Sequence, residues 1–288
     1  MQSTYARILG TLPVNPNIAA KVLTMASKQD FSFKTLEEVI SRDPGLTARI
    51  LKIANSALYA RQNQVTRLQA AITLLGVNTI KNLVILLTGS SLNPRNWDSP
   101  FLALFWRHSL DSAFLAREIS TQVGLQDLAE EAFVAALLHN VGQIAFFLKH
   151  GADYEALIEG ARRGDRRISA LERQAWGTDH KEIGREVLEG WNFPEVYSHA
   201  ALEHGNENVT STHKQVVVLV TIADFQASNW SFLAAAPKPL SLIASQLAYL
   251  GTDAATTEAR QAGLRGRLEA DPFYLECQNL IRPQSKSA

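Results

Sequence analysis

The chain has 288 residues, of which 46% are hydrophobic and 19% charged, with a formal net charge of zero. This composition can bury a substantial core and excludes a disordered or strongly polyionic chain. The single cysteine, Cys277, excludes an internal disulfide and a thiolate-rich metal site, and it fits a cytoplasmic location. No uninterrupted apolar run approaches the roughly 18 residues that span a bilayer, and the N-terminus shows no basic segment followed by an apolar one, so neither a membrane segment nor a signal is expected.

Helical periodicity dominates and strand-like alternation is almost absent, which points to an all-α fold. A helix is expected over Asn17–Lys28 after Pro16, and a short one over Leu36–Ser41. In DPGLTARILKIANSALY, Asp43 can cap the first turn and Pro44 fits the first helical position. Leu46, Ile50, Ile53, Ala54 and Ala57 then share a face, with Arg49 and Lys52 directed away. Leu68–Leu75 and Val77–Leu87 read as two helices hinged at Gly76. SSLNPRNWDSP, Ser90–Pro100, is the best internal boundary because turn-forming residues break the pattern there. A long helix follows from about Phe101 to Val123, and its buried stripe carries His108. Further helices are expected near 127–140, 152–163, 168–176, 180–190, 194–204 and 213–228, and the tail RPQSKSA is expected to be disordered.

Charge is unevenly placed. Residues 1–97 hold 11 Lys/Arg and 4 Asp/Glu, and residues 98–288 hold 17 and 24. The two parts can attract each other, or the first can steer an acidic partner. No dense basic cluster interleaved with aromatic residues indicates nucleic acid.

Several polar residues fall on stripes that should be buried: His108, Asn140 beside His139 in AALLHNVGQI, and Asp224 in VVVLVTIADF. His180 lies near a helix start and His204 at a helix end. A buried carboxylate needs a cation, a metal or strong donors. Imidazoles and a carboxylate converging from separate helices suit a divalent metal. Each of these residues can equally be a hydrogen-bonded core side chain, and spacing alone does not bring them together.

VISRDPGLTARILKIANSALYA and LQAAITLLGVNTIKNLVI together resemble the N-terminal signature of the HDOD family, a branch related to the HD-domain phosphohydrolases. WRHSLDSAFLA, AALLHNVGQI, GTDHKEIGREVLEGWNFPE, AALEHGN and LVTIADF follow in matching order, so the resemblance covers roughly residues 8–230. It implies an all-α fold in two packed parts: an N-terminal HDOD subdomain over 1–97 and an HD-like bundle over 98–230. A C-terminal helical extension over 231–288 would follow. It also implies a role as an output or regulatory module in bacterial signal transduction. The metal-ligand positions of catalytic relatives carry over to His108, His139, Asn140, His180, His204 and Asp224.

The sequence departs from the catalytic pattern in three places. Asn140 stands where an Asp would follow the His, Gln143 where a Lys often follows the Gly, and Gly205 where a second His usually stands. A neutral carboxamide offers one oxygen and no charge, so a two-metal hydrolytic site is disfavoured. Two readings remain. The first is a non-enzymatic signalling module with no cofactor, whose vestigial site is a satisfied polar network in which Asn140 donates to Asp224 while His139 or His108 pairs with that carboxylate. The second is a phosphohydrolase with one divalent ion (Zn²⁺, Fe²⁺ or Ni²⁺) on His108, His139, His204 and Asp224. The expected partners are signalling proteins, with neither nucleic acid nor membrane indicated and a homo-oligomer compatible. Trp97, Trp191 and Trp230 are candidate interface anchors, although a buried tryptophan is the commoner case.

Overall fold

The structure is a computed structural model that describes residues 4–10, 16–26, 32–56, 58–59, 64–90, 99–164, 167–230 and 237–281. The expected boundary at 90–100, with Trp97, and the tail at 282–288 lie largely or wholly outside these residues. The described residues form helices and connecting turns with no strand among them, as the periodicity predicts.

The first helices are α1 (Thr4–Gly10), α2 (Pro16–Ala26), α3 (Phe33–Ile40), α4 (Pro44–Ala54), α5 (Leu68–Leu75) and α6 (Val77–Ser90). The Asp43 side chain accepts the Leu46 N–H at 2.9 Å, and Pro44 occupies the first turn, where its missing N–H costs nothing. Leu46, Ile50, Ile53 and Ala54 are buried while Arg49 and Lys52 face outward. Asn55 then closes the following loop by exchanging two hydrogen bonds with the Val65 backbone, at 2.7 and 2.8 Å. Gly76, at φ +78°, turns the chain through 112° between α5 and α6. A left-handed residue there favours glycine.

The long helix α7 (Pro100–Gln122) starts on the Ser99 cap. Its expected stripe is inside: Phe101, Phe105, His108, Ser112, Leu115 and Ile119 are all buried. It packs mainly against α8 (Ala129–Leu138) and α14 (Lys214–Trp230). Between them come α9 (Val141–His150), α10 (Ala152–Gly164), α11 (Ile168–Trp176), α12 (His180–Gly190) and α13 (Glu195–Glu203). Helix α9 has no counterpart among the predicted elements. Its N-terminal residues continue the apolar run of α8, and only the non-helical turn at Asn140 (φ −103°, ψ 14°) separates them. The stretch Gln126–His150 therefore meets the length and apolarity of a membrane span, contrary to expectation, but 83% of its most apolar 18-residue window is buried within the fold.

The last helices are α15 (Ala244–Tyr249), α16 (Ala254–Gln261), α17 (Leu264–Ala270) and α18 (Pro272–Ile281). Helix α18 packs on both α6 and α7, and nearly all buried apolar side chains among the described residues join one continuous core. Trp191 and Trp230 lie half-buried against that core.

One close approach positions the site. A Cβ on Gly142 would overlap the His180 carbonyl oxygen and lie 2.8 Å from the Gly184 backbone nitrogen. Helices α9 and α12 therefore cross with their backbones in contact, which only glycine permits. The crossing holds the start of α9, next to His139, against the start of α12, which carries His180.

Candidate metal centre in the HD-like bundle

The structure brings the six sequence-predicted residues into one region but gives them different parts. His108 projects from the middle of α7, His139 ends α8, Asn140 precedes α9, His180 opens α12, His204 ends α13 and Asp224 lies within α14. The tightest group is His108, His139 and Asp224, whose donor atoms all lie within 4.8 Å of one another. Asp224 Oδ1 is 3.1 Å from His108 Nε2 and 3.5 Å from His139 Nε2. His204 stacks edge-on to His139 with ring centroids 4.8 Å apart, and His180 follows at 5.7 Å from His204. The imidazoles thus form a row from α7 to α12, with the carboxylate at one end.

The backbone fixes the tautomers. His139 Nδ1 lies 2.6 Å from the Ala136 carbonyl, and His204 Nδ1 lies 3.1 and 3.0 Å from the carbonyls of Ala200 and Ala201. His180 Nδ1 lies 2.6 Å from Glu172 Oε2. Oxygen acceptors require Nδ1–H in all three, which leaves Nε2 as the ring nitrogen free to face the interior. This outer-partner arrangement is the one metal-binding histidines use.

Burial pushes the His139 imidazole below its ordinary range, although Asp224 opposes the shift. Burial, reinforced by the Lys181 charge, holds His204 well below it. For Asp224 burial acts upward, but the hydrogen bonds and charges of His108 and His139 outweigh it and keep the carboxyl well below the usual carboxylate range. Held by Ala136 at Nδ1, the uncharged His139 ring would turn its Nε2 lone pair toward Asp224 Oδ1 at 3.5 Å, and the protonated ring would donate to it. Either a proton on Nε2 or a metal ion between the two atoms satisfies both.

The expected internal network forms only in part: His108 pairs with Asp224 at 3.1 Å, but Asn140 does not donate to it. Asn140 makes no side-chain hydrogen bond among the described residues, and its Oδ1 is buried without a partner, as are His139 Nε2 and His108 Nδ1. Asp224 Oδ1 already faces two imidazoles. The centre is thus not a fully paired polar core, and its donor set fits one divalent ion: imidazole nitrogens, one carboxylate and a spare amide oxygen. It does not fit two such ions, because one carboxylate is its only anionic donor.

Three residues that the sequence reading did not single out complete the site. Glu172, on α11, is fully buried and accepts from the His180 ring, from the His180 backbone N–H at 2.9 Å and from the Tyr154 hydroxyl at 2.6 Å. Burial would raise its carboxyl, but His180 and Tyr154 outweigh this and hold it low. Lys181, on α12, donates from Nζ to the His204 carbonyl oxygen and, at 3.1 Å, to Asn206 Oδ1. A cationic group therefore does stand at the centre, although the position of Gln143 supplies none. One signal for Glu172 was available: it continues the Ile168–Trp176 stripe at four-residue spacing.

The HDOD domain profile matches residues 12–207. The chain belongs to the HDOD family. A solved HDOD domain protein of unknown function from Geobacter sulfurreducens is 22% identical, with 96% of this chain and 97% of that one covered and a TM-score of 0.71. A candidate signal transduction protein from Marinobacter aquaeolei VT8 is 18% identical, with 98% and 62% covered and a TM-score of 0.76. A candidate phosphohydrolase from Shewanella amazonensis SB2B is 23% identical, with 97% and 98% covered and a TM-score of 0.68. At these identities the likeness concerns the fold. Among curated proteins, an uncharacterized protein of Treponema pallidum (strain Nichols) is 21% identical over 225 residues. The match takes in 78% of this chain and 44% of that relative, so the HDOD chain spans less than half its length.

Proposed function

We propose that this HDOD chain is a non-hydrolytic regulatory module of bacterial signal transduction. It acts through contacts with signalling proteins in the cytoplasm, and its HD-like centre takes a single divalent ion. The observation that carries this reading is the charge of the donor set. Asp224 is the only carboxylate in the group around His108 and His139. Asn140 contributes no charge, and histidines ligate a metal as neutral imidazoles. Two divalent ions would bring four positive charges against one negative, whereas the two-metal clamp of phosphate-ester hydrolysis needs anionic ligands that neutralise and bridge its ions. The family membership and the likeness to a candidate signal transduction protein support the regulatory half of the reading.

The test is metal analysis of protein purified without chelator, combined with an assay for cleavage of a generic phosphodiester. The expected result is about one ion per chain and no turnover above an Asp224→Asn variant. Two ions per chain, with turnover that Asp224→Asn abolishes, would overturn it. The second reading, a phosphohydrolase working with one ion, draws on the lone pair that His139 directs at Asp224. One ion with Asp224-dependent turnover would select it.

A further inference from the structure

We propose that the Lys181 ammonium is a built-in second cation of the centre, which fixes its capacity at one divalent ion and weakens the hold on that ion. The inference rests on the one-ion reading above and names the residue responsible.

Lys181 follows His180 at the start of α12, but its side chain runs to the far end of α13. Nζ donates to the His204 carbonyl oxygen and to Asn206 Oδ1 at 3.1 Å. Both partners are neutral oxygens, so the hydrogen bonds hold the amine in place without cancelling its charge. The amine also takes the space beside Gly205: a Cβ built there would lie 3.7 Å from Nζ. Gly205 is at φ +70°, and its N–H is held by Thr221 Oγ1 at 2.9 Å, so the turn that brings this carbonyl and this amine together is fixed to α14. The charge lies beside the centre: the carbonyl that holds Nζ belongs to His204, whose ring stacks edge-on to His139 with centroids 4.8 Å apart.

Like charges held at short range in a partly dry site repel, and a divalent ion among His108, His139 and Asp224 would have a fixed positive neighbour behind His204. The row of imidazoles is long enough to suggest two ions, yet the ammonium stands beside His204, on the far side of His139 from His108.

The test is calorimetric titration of the chelator-stripped full chain with Zn²⁺, comparing the parent with Lys181→Gln, Lys181→Met and Lys181→Arg. Lys181→Gln keeps a donor for the His204 carbonyl and removes the charge, so it covers the case in which Lys181→Met folds poorly. For the two neutral variants the expected result is tighter binding of the first ion by about tenfold and a measurable second ion, while Lys181→Arg matches the parent. Neutral variants with the stoichiometry and affinity of a one-ion parent would overturn the role of Lys181 and leave the one-ion reading standing. A parent that itself takes two ions would overturn both.

Discussion

The phenol of Tyr274 on α18 donates a hydrogen bond to the buried carboxylate of Asp111 on α7, one turn beyond His108. Arg107, also on α7, lies 3.6 Å from Asp111 and 3.6 Å from Glu269, so it ties α7 to α17 as well. Burial pushes the Asp111 carboxyl up, against the pull of Tyr274 and Arg107. The last helices are therefore clasped to the helix that carries a candidate ligand. Tyr274→Phe leaves Asp111 with a longer, half-exposed partner and should cost about 1.5–3 kcal/mol in urea unfolding. Combined with Asp111→Asn, the losses should be clearly less than additive. A midpoint equal to the parent's would show that the clasp contributes nothing.

Glu172 is the sole carboxylate on His180 among the described residues, and it is fully buried. Glu172→Ala would strand the His180 ring, the His180 N–H and the Tyr154 hydroxyl together, with an expected loss of about 3 kcal/mol. Glu172→Gln keeps a side chain of the same shape and should lose less. Equal stability of both variants and the parent, measured by thermal unfolding, would mean that this carboxylate does not hold the histidine.

The crossing of α9 and α12 gives a sharp contrast between two glycines. Gly142→Ala should cost about 3 kcal/mol or more, because backbone rather than a flexible side chain would have to move. Gly160, inside α10, has nothing within 4 Å of a Cβ, and Gly160→Ala should gain about 0.5–1 kcal/mol by helix propensity. Paired thermal melts decide both.

The row of imidazoles predicts a pH dependence in the chelator-stripped protein. His139 and His204 are held below the unfolded value of about 6.5. As pH falls through that value the unfolded chain takes up protons that the folded chain refuses, so stability must fall. It is fully present above about pH 6.5 and is lost progressively below it. His204→Gln should lessen the slope of stability against pH by about one proton, roughly 1.4 kcal/mol per pH unit. An unchanged slope between pH 5 and 6.5 would contradict the burial-driven shift.

Asn140→Asp adds a carboxylate where the buried amide oxygen now lacks a partner. It should raise Zn²⁺ affinity by tenfold or more, that is by about 1.4 kcal/mol. Equal affinity of the two proteins would show that the carboxamide is not what limits metal binding.

Much of this arrangement is legible in the chain. The stripe carrying His108, the capped start at Asp43 and the hinge at Gly76 follow from periodicity and backbone preference, because local rules decide them. The convergence of His108, His139 and Asp224 follows only from the resemblance, since three helices distant in sequence must meet. The parts not legible are those whose role tertiary packing sets. Glu172 lies on the Ile168–Trp176 stripe, but its partners Tyr154 and His180 come from other helices and no local rule names them. Lys181 reads as one more surface lysine until the turn at Gly205 presents a carbonyl to it. Helix α9 is hidden because its start continues the apolar run of α8.

The glycine contact between α9 and α12 also constrains how a message can travel through the protein. At Gly142 the two backbones meet with no side chain to give way, so the helices behave as one strut there and His139 and His180 shift as a pair. A partner that alters the spacing of the imidazole row must therefore push on α7, α13 or α14. The clasp on α7 makes that helix the one most directly wired to the outer surface.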